Sequence, residues 1–179
     1  MTKYIALIRG INVGGKNAVS MAHLKEALLS DGFESVSTYI NSGNIIFDSQ
    51  EVNLTKLVST FEHILLAEFA VTTRVAVLPA DEVRDSFKNA PLWWGEDANS
   101  KHNAIFVIAP ANAQEVALNV GDAKPEYEKI EAYGRIIFWS APLQTFGRTR
   151  WSKIVSTAAY NDITIRNYNT TKKLVDLTA

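Results

Sequence analysis

Two short runs hold most of the residues in this chain that could bind a charged group. The first is Arg9-Gly10-Ile11-Asn12-Val13-Gly14-Gly15-Lys16-Asn17, and the second is Thr38-Tyr39-Ile40-Asn41-Ser42-Gly43-Asn44. Arg9 and Lys16 supply positive charge, while Gly10, Gly14 and Gly15 let backbone N–H groups turn into a concavity. A helix predicted to start near Ser20 adds the partial positive charge of its N-terminus. Together these features suit an anionic group, most simply a phosphate or a carboxylate. The candidate binding residues are Arg9, Asn12, Lys16, Asn17, Asn41, Ser42 and Asn44. The competing reading is a glycine-rich connection whose asparagines bond their own backbone.

Gly10 through Lys16 also has the G-x-x-x-x-G-K spacing of a P-loop after a strand. Asn17 stands where the Mg²⁺-ligating Ser or Thr belongs, and the helix is predicted to start late, at Ser20. An NTPase is therefore rejected. A second candidate patch comprises Arg148, Arg150, Arg166, Asn167, Asn169 and Lys172, in a basic C-terminal third. It could grip a phosphate backbone or an acidic partner. The preferred alternative has Asn167 or Asn169 capping the last helix, with lysines on its solvated face. Trp93, Trp94 and Trp139 could stack on a base, but aromatics beside a connector more often plug a join between halves. His23, His63 and His102 lack metal-ligand spacing. No Ser-His-Asp or paired-carboxylate arrangement follows from spacing, so no catalytic residue, metal or cofactor is assigned.

The elements that must position these groups follow from periodicity. Residues 3–9 are apolar at both parities, as in a strand buried on both faces. Met21, Leu24, Leu28 and Leu29 recur at helical spacing, between a Ser20 cap and a Gly32 stop. Runs 35–40 and 45–48 flank Asn41-Ser42-Gly43-Asn44 and read as a hairpin. A long helix capped by Asn53 and a strand over 73–78 complete β-α-β-β-α-β. A helix over 80–89 and a polar loop over 90–101 form a connector. The order then recurs: strand 103–109, helix 113–120, hairpin strands 126–132 and 135–140, a loop over 142–149, a helix over 151–160 and a strand over 163–166. Trp151, Ile154, Val155 and Ala158, at i, i+3, i+4 and i+7, carry the helix expectation for 151–160. Gly43-Asn44-Ile45-Ile46-Phe47 matches Gly134-Arg135-Ile136-Ile137-Phe138 at equivalent places.

This is the split βαβ, ferredoxin-like order, twice. The predicted fold is α+β: two ferredoxin-like repeats packed together, with a connector helix and a C-terminal helix. The expected division is 1–79 for the first repeat, 80–101 for the connector, 102–166 for the second repeat and 167–179 for the last helix. Central strands apolar on both faces need cover on the second face, which the other repeat is expected to give. That disfavours an open sheet used as an RNA-stacking platform.

The chain has 179 residues, a formal net charge of −1 and no cysteine. Near-neutral charge removes the footprint of a dedicated nucleic-acid binder, and the lack of cysteine removes disulfide and thiolate chemistry. No apolar run is long enough for a signal-peptide core or a membrane span. The expectation is a soluble cytoplasmic protein without a membrane partner.

The opening Ile5-Ala6-Leu7-Ile8-Arg9-Gly10-Ile11-Asn12-Val13-Gly14-Gly15-Lys16-Asn17, the hairpin 38–44 and the closing Thr164-Ile165-Arg166-Asn167-Tyr168-Asn169-Thr170 closely resemble the bacterial domain of unknown function 1697 family. Tyr168 replaces a tryptophan expected in that motif. The resemblance covers essentially the whole chain and implies a duplicated α+β fold, but brings no activity with it. The leading functional expectation is a protein binding a small phosphorylated or anionic ligand at the end of the first repeat. The alternatives are a nucleic-acid-binding module using the basic C-terminal third, an enzyme acting on a phosphorylated substrate, and a protein-interaction scaffold.

Overall fold

The computed structural model describes residues 1–179. They divide into two compact units, Met1–Asp81 and Glu82–Leu177. Each unit carries one four-stranded antiparallel sheet.

In the first unit β1 (Thr2–Ile8) lies between β3 (Asn44–Ser49) and β4 (Val75–Pro79), and β2 (Glu34–Tyr39) forms the edge beyond β3. The order β2-β3-β1-β4 is that of a ferredoxin-like unit, with β1 and β3 at its centre. Residues Tyr4 to Ile8 are all buried. Helices α1 (Met21–Ser30) and α2 (Leu54–Phe69) carry buried stripes of Leu24 and Leu28, and of Leu57, Phe61 and Leu65. Phe61 meets Phe47 at 5.0 Å and Phe33 at 5.3 Å between ring centroids. Ser20 caps α1 by accepting from the His23 amide, and Asn53 caps α2 by accepting from that of Lys56. The edge strand β2 is polar and irregular. Its register against β3 shifts between Glu34 and Ser37, and Ser35 adopts φ +51°.

The chain continues through α3 (Ala80–Lys88) into the second unit. There β5 (Ser100–Val107) is central, β7 (Ile136–Pro142) lies beside it, and β6 (Lys129–Tyr133) and β8 (Ile163–Asn167) are the edges. The two matched sequence fragments occupy equivalent strands: Ile46 pairs with Ile5 in the first sheet, and Ile137 pairs with Ile105 in the second. One face of this sheet packs Ile105, Val107, Ile137 and Trp139 with Val116 of α4 (Ala113–Val120), Trp151 and Ile154. On the other, Phe138 meets Trp94 at 4.7 Å, and Trp94 meets Phe87 and Tyr168 at 5.8 Å and 4.8 Å. The chain ends in α5 (Tyr168–Thr178).

Three local expectations are corrected. Residues 151–160 form no α-helix but two 3₁₀ segments, Trp151–Ser156 and Ala158–Asp162. Thr157 between them is extended, its hydroxyl donates to the Ile154 carbonyl, and the Ala159 amide donates to Asn119 Oδ1. One local hydroxyl and one distant carboxamide thus take backbone groups that an α-helix would pair internally. The expected loop over 142–149 contains a 3₁₀ turn, Leu143–Arg148. The strand expected from 126 starts only at Lys129, because the Tyr127 and Glu128 amides turn back onto the Lys124 carbonyl. No helix is long and apolar enough to cross a membrane.

Candidate functional site

The loop after β1 is built by its asparagines and glycines. Gly14 and Gly15, at φ +58° and +74°, close a two-residue turn in which the Lys16 amide donates to the Val13 carbonyl at 3.0 Å. Two successive positive φ values are what a type I′ turn requires, which is why glycines occupy both places. Asn12, itself left-handed at φ +55°, is the anchor. Its Oδ1 accepts from the Val19 amide at 2.8 Å, and its Nδ2 donates to the carbonyls of Val19 at 2.9 Å and Asn41 at 2.8 Å. One side chain therefore ties the glycine loop both to the approach to α1 and to the β2–β3 turn.

That turn is fixed from below. Asn44 is fully buried, and its Nδ2 donates to the Tyr39 carbonyl and to Ser42 Oγ, each at 3.0 Å. Asn17 Nδ2 donates to the Gly10 carbonyl at 3.0 Å. Arg9 is half-buried, and its backbone is held by the Arg74 carbonyl and the Thr73 hydroxyl. So Asn12, Asn17 and Asn44 commit their amides to backbone and turn closure. Lys16 and Asn41 are exposed, and neither side chain makes a hydrogen bond or ion pair.

Asn12, Lys16, Ser20, Met21, Ala22 and Asn41 line one open groove of about 530 Å³ at the N-terminus of α1. The Ser20 hydroxyl satisfies the His23 amide, leaving those of Met21 and Ala22 for an incoming acceptor. The groove thus joins one ammonium, one carboxamide and two helix-end N–H groups. Arg9, Asn17, Ser42 and Asn44 support it without lining it.

The second predicted patch is spread across the second sheet. Arg166 and Asn167 lie on the edge strand β8. Burial lowers the Arg166 guanidinium to a pKa of about 10, and it donates to Thr164 Oγ1 and the Ile165 carbonyl at 3.0 Å each. Asn167 caps α5 by accepting from the Thr170 amide, and Lys172 pairs with Asp176 at 3.0 Å. Asn169 lines a groove with His102 and Glu96. Arg148 and Arg150 sit by the opposite edge. Arg148 lies 5.9 Å from the Tyr127 ring, and the Arg150 amide donates to Glu128, next to the start of β6. Trp94 is buried within the second unit with its Nε1 donating to the Asn103 carbonyl, and Trp139 packs tilted against Phe146 at 5.1 Å between ring centroids.

Sequence spacing missed one constellation. His102 on β5 and Ser140 on β7 are direct cross-strand partners, 38 residues apart in the chain. His102 Nδ1 lies 2.6 Å from Ser140 Oγ, and its Nε2 lies 2.6 Å from the Asp97 carbonyl. Asp97 is held in turn by the Asn99 amide and the Ser100 hydroxyl, which keep its carboxyl below the usual range. Trp93, Glu96, Tyr127 and Lys129 line a cavity of about 270 Å³ with His102 and Ser140. The only sequence signal was a serine closing the apolar run Ile136-Ile137-Phe138-Trp139. No group of three or more His, Asp or Glu side chains is placed to hold a metal ion.

A family model described as "Protein of unknown function (DUF1697)" matches residues 1–138. No curated protein matches the chain. Among solved structures, the conserved bacterial protein SP0830 from Streptococcus pneumoniae is similar to it, with 30% sequence identity, a TM-score of 0.86 and 99% of each chain covered. The match spans both repeats, while the family model takes in the glycine loop, the asparagine turn and the strands of the His102–Ser140 pair up to Phe138. On these grounds the chain belongs to the DUF1697 family, a family of proteins of unknown function.

Proposed function

We propose that the groove at the N-terminus of α1 binds a small anionic ligand, most simply a phosphate monoester. The reading rests on one observation: the Lys16 ammonium, the Asn41 side chain and the Met21 and Ala22 amides have no partner of their own and share one groove. Helix-end amides favour negative charge by geometry and by the macrodipole. Lysine adds a mobile point charge, and the Asn12 bridge keeps loop and turn together before the ligand arrives. A groove prepared in this way loses little ordering entropy on binding.

The test is a titration of the full chain with inorganic phosphate, a hexose phosphate and a mononucleotide. Tm is followed, together with amide shifts in labelled protein. Binding should raise Tm by mass action and move the Met21, Ala22 and Asn41 resonances. Lys16→Ala should weaken it at least tenfold. Shifts confined to other residues, or an unchanged affinity in Lys16→Ala, would dismiss the reading. Binding of oligonucleotides with a steep salt slope would instead favour nucleic acid.

A further inference from the structure

We propose a nucleophilic serine in the second unit, independent of the anion groove: Ser140, with His102 as its general base and the Asp97 carbonyl as the group that orients the imidazole. A carbonyl oxygen can only accept, so the contact at 2.6 Å assigns a proton to His102 Nε2. The neutral ring then presents an acceptor at Nδ1, and the Ser140 hydroxyl, 2.6 Å away, donates to it. This is the arrangement an activated serine needs: a base within reach of the hydroxyl, and a third group holding the base in the right tautomer. The β-sheet supplies the alignment. Ser140 faces His102 across β5 and Lys129 across β6, so the three residues form one row on one sheet face. Lys129 is exposed, lines the same cavity and makes no side-chain ion pair, so its ammonium is free to face an oxyanion.

The cavity fixes the substrate class. Its volume of about 270 Å³ lies just below the usual range for ligand sites, so only a small substrate fits. Trp93 and Tyr127 give it apolar walls. A short-chain carboxylic ester fits this chemistry. Ser140 Oγ bonds to the ester carbonyl carbon as its proton passes to His102 Nδ1. The tetrahedral oxyanion collapses, the carbon–alkoxy bond breaks, and the alcohol leaves with that proton. Water then adds to the acyl-serine, giving a proton to Nδ1. The acyl–Oγ bond breaks, the carboxylic acid leaves, and the proton returns to Oγ.

The decisive probe is a small alkyl fluorophosphonate applied to the full-length protein, with adducts located by peptide mass spectrometry. An adduct on Ser140 is expected, absent from Ser140→Ala and formed at least about 100-fold more slowly in His102→Gln. Lys129→Ala changes an exposed side chain, so its fold is preserved, and labelling should slow about tenfold. The unmodified chain is decisive without any variant: no adduct on Ser140 overturns the proposal and makes the histidine a latch for the Asp97 turn. Equal labelling rates in the unmodified chain and His102→Gln also overturn it.

Discussion

Asn12 and Asn41 are joined by a 2.8 Å hydrogen bond from the Nδ2 of the first to the carbonyl of the second, across 29 residues of chain. The same carboxamide reads both backbone groups of Val19. Replacing it with alanine strands partly buried backbone groups, at about 2 kcal/mol. Asn12→Asp should be worse, because a carboxylate would face the two carbonyls that Nδ2 now serves. Urea unfolding of both variants tests the order, and an aspartate variant as stable as the parent would refute this role.

Glu128 is buried, and its carboxylate accepts three backbone N–H groups: Lys124 at 3.0 Å, Arg150 at 2.7 Å and Trp151 at 3.1 Å. Charge-assisted bonds of this kind are about twice as strong as neutral ones. Glu128→Ala should cost about 3 kcal/mol or more. Glu128→Gln should recover only part of that, since its amide turns a donor toward an N–H. Hydrogen exchange at residues 150 and 151 should speed up in both, and unchanged protection there would count against the assignment.

Gly43 has φ +91°, and a Cβ built on it would lie 2.8 Å from Ile8 Cβ and 2.9 Å from Ile11 Cδ1. Gly14 shares the left-handed backbone, at φ +58°, but a Cβ there meets nothing within 4 Å. Gly14→Ala should therefore cost about 1–2 kcal/mol from backbone conformation alone. Gly43→Ala should cost clearly more, because strand β1 must also shift. Equal denaturation midpoints for the two variants would contradict this.

The Asn99 amide first, and then the Ser100 hydroxyl, hold the Asp97 carboxyl below its ordinary value of 3.8. A carboxyl depressed by folding adds stability above its unfolded value and loses it as pH falls through the folded one. The stability gap between parent and Asp97→Asn should therefore be open at about pH 6 and narrow toward about pH 3. Thermal melts across that range decide it, and a gap that widens in acid would reverse the sign.

Much of the frame was legible because it rests on local pattern. The two-sided apolar run at Tyr4 to Ile8 became a central strand, and the paired Gly-x-Ile-Ile-Phe fragments became equivalent strands. Caps at Ser20 and Asn53 were readable from residue type and place, while for the last helix Asn167 and Asn169 both qualified and the structure selects Asn167. The misreading at 151–160 has a different origin. Trp151, Ile154, Val155 and Ala158 carry helical spacing, yet Asn119, far away in the chain, takes the Ala159 amide and the Thr157 hydroxyl takes the Ile154 carbonyl. The same limit hid His102 and Ser140, which meet only through strand register. At the first site, residue types named the cluster, but geometry separated Asn12, Lys16 and Asn41, which line the groove, from Asn17 and Asn44, which only support it, and left Lys16 and Asn41 with the uncommitted side chains.

The offset in β2 has a consequence for how the molecule behaves in a crowd. A regular outer strand offers an evenly spaced ladder of donors and acceptors that a stranger's backbone can copy. Between Glu34 and Ser37 that ladder loses step, and the left-handed Ser35 turns its peptide out of line. A foreign segment docking along this border would lose its pairing after a few residues, so the border works as a built-in guard against fibril growth.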